Sequence, residues 1–304
     1  MTLRNFLLFL LVPATAFPSP KSLTSHYKQP LPHRRRSTPS IHRRSSAPPD
    51  VVYSRNAIVL DPLSGEVLYA KDPSQSVSIA SITKLMTAIV FLAQKPELNR
   101  VVDVTFAEID GGYSTQLRHH ERLSLGDLLH MSLMCSDNVA TRVLVRESGL
   151  TLDDFISQMN RMAMILEMSG THFTEITGLD VCNVSTASDI ARLLLATSRV
   201  QLITDITSTL TYEFRSNTRY HHINNTDRLL YSQYQILAGK TGFNRSAKYC
   251  FATWLRTKGH DLIAVVLGAP TNATRFADIV RLVQRTLTAK ISSSKKEIIP
   301  LPAL

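Results

Sequence analysis

The stretch SIASITKLMTAIVFLAQ, residues 78–94, constrains the fold most, because its apolar side chains would surround a helix on nearly every side. A helix that is apolar all round is buried in the middle of a domain and not laid on its surface. The stretch ends before Pro96, and proline cannot continue a helix. We therefore expect a central helix that the rest of the 304-residue chain covers.

Strands are predicted at both ends of the folded region, with helices between them. A first hairpin is predicted for NAIVLD and EVLYA, and three further strands for YQILAGKTG, AKYCFATWLRT and DLIAVVLGA. The intervening helices begin at capping residues such as Ser124 and Thr151. This order predicts an α+β domain over residues 51–290, in which an antiparallel sheet lies beside a helical lobe, followed by a short tail at 291–304.

The first sixteen residues have the pattern of a secretory signal peptide. Arg4 precedes a short apolar run, and Ala14-Thr15-Ala16 forms a small-x-small cleavage site. An uncleaved membrane anchor is the alternative, but the run is well short of the roughly 20 apolar residues that a spanning helix needs. We therefore expect cleavage after Ala16 and export to the periplasm.

Residues 17–50 differ in composition from everything that follows. They hold seven of the 14 prolines, seven serines, seven Lys or Arg and one acid, so they carry +6 of the formal net charge of +10. Such a segment cannot bury enough apolar surface to fold, which predicts a disordered basic tether. It is either a solvated linker or a segment attracted to an anionic surface; a nucleic-acid partner is not expected.

A serine and a lysine stand three residues apart inside the apolar helix, at Ser81 and Lys84. Side chains at this spacing share one face of a helix. Serine becomes a nucleophile when a base takes its proton, and burial can lower the pKa of a lysine enough for it to be that base. Taken alone, the pair is better explained as a small polar residue beside a lysine whose amine reaches solvent.

Two later stretches favour the catalytic interpretation. CSDN, between two helices, contains Ser136 and Asn138, and LAGKTGF, on a predicted strand, contains Lys240, Thr241 and Gly242. S-x-x-K followed by S-D-N and K-T-G, in this order, is the signature of penicillin-binding proteins and class A β-lactamases.

The chain resembles the low-molecular-mass penicillin-binding proteins, D-alanyl-D-alanine carboxypeptidases and endopeptidases, and is most similar to the penicillin-binding protein 7/8 endopeptidase type. ASITKLMTA, EIDGGYSTQLR, TGLDVCNVSTASDIARLL and QILAGKTGF carry the likeness, which runs from about residue 52 to about 285. The resemblance implies a β-lactamase/transpeptidase-like fold. The short stretch after the last predicted helix favours the endopeptidase-like branch, and Cys135 stands where the resemblance implies a small residue.

The resemblance also implies a role for each site residue. Ser81 would attack a D-alanyl carbonyl in peptidoglycan peptides, Lys84 would be the general base, Ser136 would relay a proton and Asn138 would hold Lys84 or the substrate amide. Four residues of one strand would bind substrate: Lys240 and Thr241 its carboxylate, Gly242 its backbone and Phe243, through its N–H, the oxyanion. Lys240 would also keep Lys84 neutral by repulsion. β-Lactams would be covalent inhibitors, and no cofactor is expected.

Three alternatives remain open. A carboxypeptidase would remove terminal D-Ala by the same chemistry. A serine β-lactamase would need a deacylating glutamate, for which Glu175 is the nearest candidate, although no E-x-x-L-N stretch surrounds it. A non-catalytic wall-binding or penicillin-sensing module is the third.

Cysteine and histidine spacing indicates no metal site. Of Cys135, Cys182 and Cys250, at least one has to remain free, since their number is odd. The adjacent pairs His119-His120 and His221-His222 are predicted to lie on the surface.

Overall fold

The computed structural model describes residues 51–113 and 115–296 of the chain. The expected signal peptide (1–16), the expected tether (17–50) and the end of the expected tail lie outside these residues. Within the described part, none of the helices combines the length and the apolar character that crossing a bilayer requires.

The central helix, α1 (Thr83–Ala93), is buried at every one of its residues, as its apolar sequence predicts. Six further helices surround it or follow it in the lobe: α2 (Phe106–Ile109), α3 (Leu125–Met134), α4 (Asn138–Arg146), α5 (Leu152–Ile165), α6 (Ala187–Thr197) and α7 (Gln201–Ser208). The last helix, α8 (Asn272–Lys296), continues into the segment for which the sequence predicts a tail. Since α1 carries Lys84, burying this helix also removes the amine from water.

The predicted helix starts are confirmed by their hydrogen bonds. Ser124 Oγ accepts from the backbone N–H of Asp127, whose carboxylate in turn binds Ser124, so the two form a capping box at α3. At α5, Thr151 Oγ1 accepts from Asp154 N–H in the same way.

A five-stranded antiparallel sheet lies beside the helical lobe, in the order β2-β1-β11-β10-β9. Its strands are β1 (Asn56–Leu60), β2 (Val67–Lys71), β9 (Gln235–Asn244), β10 (Lys248–Thr257) and β11 (His260–Ala269). The first hairpin and the last three strands thus form one sheet, which confirms the α+β prediction. β9, which carries the K-T-G stretch, is an edge strand and contacts α7 and the turn Ala80–Ile82 before α1.

The sheet separates two hydrophobic cores because its side chains alternate between its faces. Ile58 and Val265 belong to the large core shared with the lobe, whereas Val59 and Val266 belong to a smaller core covered by α8. The domain therefore has three layers, and the site described below lies where the lobe meets the edge of the sheet.

Three small two-stranded sheets were not predicted: β3 (Val77–Ser78) with β6 (Val184–Ser185), β4 (Val101–Asp103) with β5 (Arg122–Ser124), and β7 (Thr211–Arg215) with β8 (Tyr220–Asn224). The surface prediction for His221 is wrong. His221 is 3% exposed, and its Nε2 lies 2.7 Å from Oε1 of the buried Glu121. Alternation along β8 turns His221 inward and His222 outward, which the adjacent pair alone does not reveal.

Candidate active site

Ser81 lies in a tight turn at the entrance to the central helix. The turn, Ala80–Ile82, has 3-10 geometry and leads directly into α1, so Ser81 precedes the α-helix that carries Lys84. Ala80 has a φ of +49°, a left-handed conformation that is uncommon for a residue with a side chain. The turn nevertheless brings Lys84 Nζ within 3.2 Å of Ser81 Oγ, as the spacing predicts.

All hydrogen bonds that the amine of Lys84 donates go to uncharged oxygens. Besides Ser81 Oγ, Nζ contacts Asn138 Oδ1 at 2.7 Å and the backbone oxygen of Thr177 at 2.6 Å. Burial lowers the pKa of Lys84 to about 8, and the negative charges of Glu175 and Asp137 oppose part of that fall. A lysine with this pKa is about one-tenth neutral at pH 7, which suits a general base.

The S-D-N stretch forms the opposite side of the site. Asp137 is the N-cap of α4, where its carboxylate accepts from Ala140 N–H at 2.9 Å and from Gln116 N–H at 3.1 Å. Ser136, just before it, has a φ of +62°, a strained conformation of the kind found at functional sites. Asn138 donates from Nδ2 to Tyr113 O at 3.1 Å, so its Oδ1 is left facing Lys84. This capped turn therefore places Ser136 and Asn138 together.

The K-T-G stretch reaches the same place from β9. Lys240 is 1% exposed, and its Nζ donates to Ser136 Oγ. Thr241 Oγ1 shares a hydrogen bond of 2.6 Å with Thr226 Oγ1. The structure thus connects Ser81, Lys84, Asn138, Ser136 and Lys240 through two lysine amines.

The two lysines influence each other's charge. Desolvation by burial is the main cause of the lowered pKa of Lys84. Burial and then the charge of Lys84 hold the pKa of Lys240 well below its usual range. Burial and mutual repulsion thus favour the neutral form of these amines, which is the form that can accept a proton.

Two glycines pack against the turn that carries Ser81. A Cβ on Gly178, which has a φ of +88°, would lie 2.0 Å from Ala80 O and 2.7 Å from Ser81 N. A Cβ on Gly242 would lie 2.7 Å from Ile79 O and 3.2 Å from Ser81 N. Gly242 is thus required by contact with the chain's own backbone, in addition to any contact with a substrate.

Phe243 follows Gly242 on β9, and its ring is 51% exposed and stacks on Tyr249 at a centroid distance of 4.3 Å. Behind the same strand, the buried Arg275 donates to Gly242 O at 2.9 Å and to Cys250 O at 3.2 Å. Phe243 was predicted as a site residue, whereas Arg275 carries no signal in the sequence beyond its place in the last helix. Arg275 therefore holds the backbone of β9 at Gly242, the last residue of the K-T-G stretch.

Sequence reasoning also missed the segment around Thr177. Thr177 O is an acceptor for Lys84, and Gly178 packs on the Ser81 turn. Asn183 Nδ2 donates to Thr83 Oγ1 at 3.1 Å and so connects this segment to the start of α1. The sequence held no signal for this contact, because the acceptor is a backbone oxygen and the positive φ of Gly178 is visible only in the structure.

All three cysteines are free thiols. Cys135, which precedes Ser136, is largely buried, and this burial raises the pKa of its thiol to about 12. Its thiol donates to Met131 O at 3.2 Å. Cys135 therefore remains protonated near neutral pH and behaves as a small packing residue at this position.

Comparisons with known proteins agree with the geometry. The family model described as D-alanyl-D-alanine carboxypeptidase, peptidase family S11, matches residues 42–271. A D-alanyl-D-alanine endopeptidase of Pseudomonas aeruginosa is 34% identical over 245 residues, which cover 79% of this chain and 79% of that protein. A D-alanyl-D-alanine endopeptidase of Escherichia coli is 33% identical over 258 residues, which cover 83% of this chain and 81% of that protein.

A solved structure shows the same fold. Penicillin-binding protein D2 from Listeria monocytogenes, in its cefotaxime-bound form, is 30% identical and superposes with a TM-score of 0.68. The superposition covers 78% of this chain and 98% of that structure. The fold, the matched family model and the relatives together show that this chain belongs to the D-alanyl-D-alanine carboxypeptidase family of serine peptidases, family S11.

Proposed function

We propose that the protein is a serine D-alanyl-D-alanine endopeptidase that hydrolyses peptide cross-links in peptidoglycan. The observation that carries the proposal is the contact between the buried amine of Lys84 and Ser81 Oγ, at 3.2 Å. The pKa of Lys84, lowered by burial to about 8, makes this lysine a base that serine can use. The curated relatives in Pseudomonas aeruginosa and Escherichia coli, both named D-alanyl-D-alanine endopeptidase, support the choice of substrate.

Acylation uses the two lysines and the two serines of the site. Ser81 Oγ attacks the carbonyl carbon of a D-alanyl peptide bond while its proton passes to neutral Lys84 Nζ. The tetrahedral intermediate then breaks its C–N bond, and Ser136 relays a proton to the departing amine. Water hydrolyses the resulting ester and releases Ser81 with its proton restored. Asn138, held by Tyr113 O, keeps Lys84 aligned through both steps.

Binding and charge stabilisation come from β9 and the Ser81 turn. Lys240 and Thr241 receive the substrate carboxylate, and the arriving negative charge restores the charged form of Lys240, whose pKa burial has lowered. The N–H groups of Ser81 and Phe243 stabilise the oxyanion. Glycines at 178 and 242 support this arrangement, since a side chain at either position would crowd Ser81 N. Removing one oxyanion donor typically costs about 100- to 1,000-fold in rate.

Removal of a terminal D-Ala is the second candidate, because the matching family model is described as a D-alanyl-D-alanine carboxypeptidase. A β-lactamase is disfavoured by the position of Glu175, the nearest glutamate. Its carboxylate is occupied by backbone and side-chain donors of Thr177, Gly178 and Asn183, which leaves it poorly placed to activate a water.

The protein would act outside the cytoplasmic membrane, in the periplasm, after cleavage of the signal peptide at residues 1–16. The basic segment 17–50 would tether the enzyme, either as a plain linker or by attraction to an anionic surface. β-Lactams would acylate Ser81 as covalent inhibitors, and the cefotaxime-bound relative from Listeria monocytogenes supports that expectation.

Purified protein spanning residues 17–304 would be incubated with cross-linked muropeptide dimers and, separately, with pentapeptide monomers, with Ser81→Ala as the control. Mass spectrometry should show dimers becoming monomers while pentapeptides survive. Loss of one D-Ala from pentapeptides with intact dimers would establish the carboxypeptidase instead. If neither substrate changes, a fluorescent penicillin decides: rapid turnover identifies a β-lactamase, and no labelling of Ser81 rules out the acylation mechanism.

A further inference from the structure

The segment from Thr174 to Gly178 is hydrogen-bonded to the central helix α1, next to Ser81 and Lys84. Lys84 Nζ donates to Thr177 O at 2.6 Å, and Thr87 Oγ1 donates to Ile176 O at 2.7 Å. The next residue, Gly178, packs against the backbone of Ala80 and Ser81. The shape of this segment therefore fixes one of the three acceptors that hold the amine of Lys84.

The carboxylate of Glu175 folds this segment around itself. Its Oε2 accepts from Thr177 N–H and from Thr177 Oγ1, each at 2.6 Å. Its Oε1 accepts from Gly178 N–H and from Asn183 Nδ2, the latter at 2.8 Å. Each carboxylate oxygen thus has two donors, and two of the four donors are backbone groups whose positions define the turn.

These four donors require a side chain at position 175 that accepts hydrogen bonds on both of its terminal atoms. A carboxylate accepts on both oxygens, whereas a glutamine amide accepts on one end and donates from the other. In either orientation of the amide, its NH₂ group would face a backbone N–H, of Thr177 or of Gly178. Unpaired donors in a buried site cost about 1–3 kcal/mol each, so a neutral isostere cannot keep this turn.

We propose that Glu175 is a positioning residue for acylation: its carboxylate shapes the 174–178 segment so that Thr177 O holds the amine of Lys84 against Ser81. The proposal rests on the proposed function. It differs from the role of a deacylating base, because Glu175 acts through Thr177 and Gly178 and touches neither Ser81 nor the substrate. Support of this kind is what keeps a catalytic side chain within a fraction of an ångström of its productive position.

The charge of Glu175 gives the proposal a readout that a purely structural role lacks. Around Lys84, negative groups come from Glu175 in this segment and from Asp137 before α4, the thiol of Cys135 lies nearby, and Lys240 lies on β9. Glu175 is the strongest of the charges that raise the pKa of Lys84. Without it, the pKa of Lys84 falls further below about 8, so Lys84 becomes neutral at lower pH.

The test is the second-order rate constant for acylation by a fluorescent penicillin, measured from pH 5 to 10 for wild type and Glu175→Gln. We expect a loss of about 10- to 100-fold at the plateau, as misplacement of a catalytic group produces. We also expect the midpoint of the rise in rate to move to lower pH. A plateau equal to wild type, or a midpoint that stays or moves upward, would overturn the proposal.

Asp180→Asn is the matched control, because it removes a carboxylate two residues after the 174–178 segment. Asp180 is exposed, and its carboxylate accepts from Thr174 Oγ1 and Cys182 N–H, so both the plateau and the midpoint should stay at wild-type values. Equal losses in the two variants would show that removing either carboxylate has the same effect, which contradicts the proposal.

Two further measurements separate the possible failures. If Glu175→Gln does not fold by circular dichroism, Glu175→Asp decides, since it keeps the charge but reaches the four donors less well. A folded Glu175→Asp with wild-type acylation would overturn the proposal, and a reduced plateau with an unchanged midpoint would support it. Wild-type protein that neither binds penicillin nor cleaves muropeptides would refute the proposed function itself.

Discussion

Two buried polar clusters in this domain treat charge in opposite ways. In the two-lysine cluster (Lys84 and Lys240 with Ser81, Ser136 and Asn138), the buried amines donate hydrogen bonds to uncharged oxygens. In the Glu121 cluster (Glu121 with Ser216, Thr218, Arg219 and His221), Ser216, Thr218 and His221 lie within hydrogen-bond distance of one carboxylate oxygen, and Arg219 Nε forms an ion pair with it at 3.5 Å.

The pKa values follow from these surroundings. Burial lowers the pKa of Lys84 to about 8, because no contact of the amine compensates the lost water fully. Burial alone would raise the pKa of Glu121, but hydrogen bonds from Ser216, His221, Arg118 and Thr218 outweigh it and lower the pKa to about 2. The amine of Lys84 is thus partly neutral near neutral pH, whereas the carboxylate of Glu121 is charged there and joins the 118–121 turn to the β7–β8 hairpin.

The largest effect should come from removing the base of the two-lysine cluster. Lys84→Met should lower acylation by fluorescent penicillin about 1,000-fold, since general base catalysis is worth that much. The folded structure should persist, because methionine keeps most of the buried side-chain volume of Lys84 and brings no donor that needs a partner. Lys258→Met, in the exposed β10–β11 turn, is the control. If Lys84→Met is acylated at a rate within tenfold of wild type, Lys84 is not the base, and the proposed functional difference between the two clusters is refuted.

Gly178→Ala should have the second-largest effect, about 100-fold on acylation, because its Cβ would displace the Ser81 turn. Gly149→Ala isolates the cost of positive φ alone: Gly149 has a φ of +79°, and nothing lies within 4 Å of the added Cβ. Both variants should lose stability through strain, but only Gly178→Ala should lose acylation at full folding. The labelling rate measures acylation, and thermal unfolding measures stability. If both variants lose acylation in proportion to their loss of stability, backbone strain and not contact with the Ser81 turn explains the slower acylation.

Glu121→Gln tests the other cluster and should change stability more than activity. The pKa of Glu121 is lowered from 4.5 to about 2, so its charge stabilises the folded state above pH 4.5, by about 2 kcal/mol for hydrogen bonds to a charged group. The contribution is lost as pH falls through about 2. The difference in urea unfolding free energy between wild type and variant should therefore shrink from pH 7 to pH 3.

Glu97→Gln, at an exposed position, should show no such difference. Acylation by folded Glu121→Gln should stay near wild type at pH 7. A large loss of acylation without a loss of stability would instead make the Glu121 cluster part of the catalytic machinery.

The sequence predicted the two-lysine cluster far better than the Glu121 cluster, for a physical reason. Ser81, Lys84, Ser136, Asn138 and Lys240 occur in short stretches where a reactive residue type stands at a fixed spacing, and helix and strand geometry then bring them together. The apolar character of α1 also predicted its burial. The α+β order followed from strands at both ends of the chain.

The remaining contacts depend on pairing between segments far apart in the chain. Glu121 meets His221 100 positions later, and Lys84 meets Thr177 O 93 positions later. No local pattern encodes either pair. The surface prediction for His221 failed for this reason, and so did any recognition of Thr177, whose contribution is a backbone oxygen that every residue type possesses.

The smallest effect should distinguish a cluster of many donors from one that depends on each member. Thr218 Oγ1 is one of several donors to Glu121, at 3.1 Å, and Thr218→Val keeps the side-chain shape while removing the hydroxyl. Because Ser216, His221 and Arg118 still donate, the unfolding free energy should fall by only about 1 kcal/mol. Thr211→Val, at an exposed position of the same hairpin, is the matched control and should change nothing. A loss as large as that of Glu121→Gln would show that the donors act as one unit. The Glu121 cluster would then resemble the two-lysine cluster, in which we expect the loss of Lys84 alone to abolish most of the acylation.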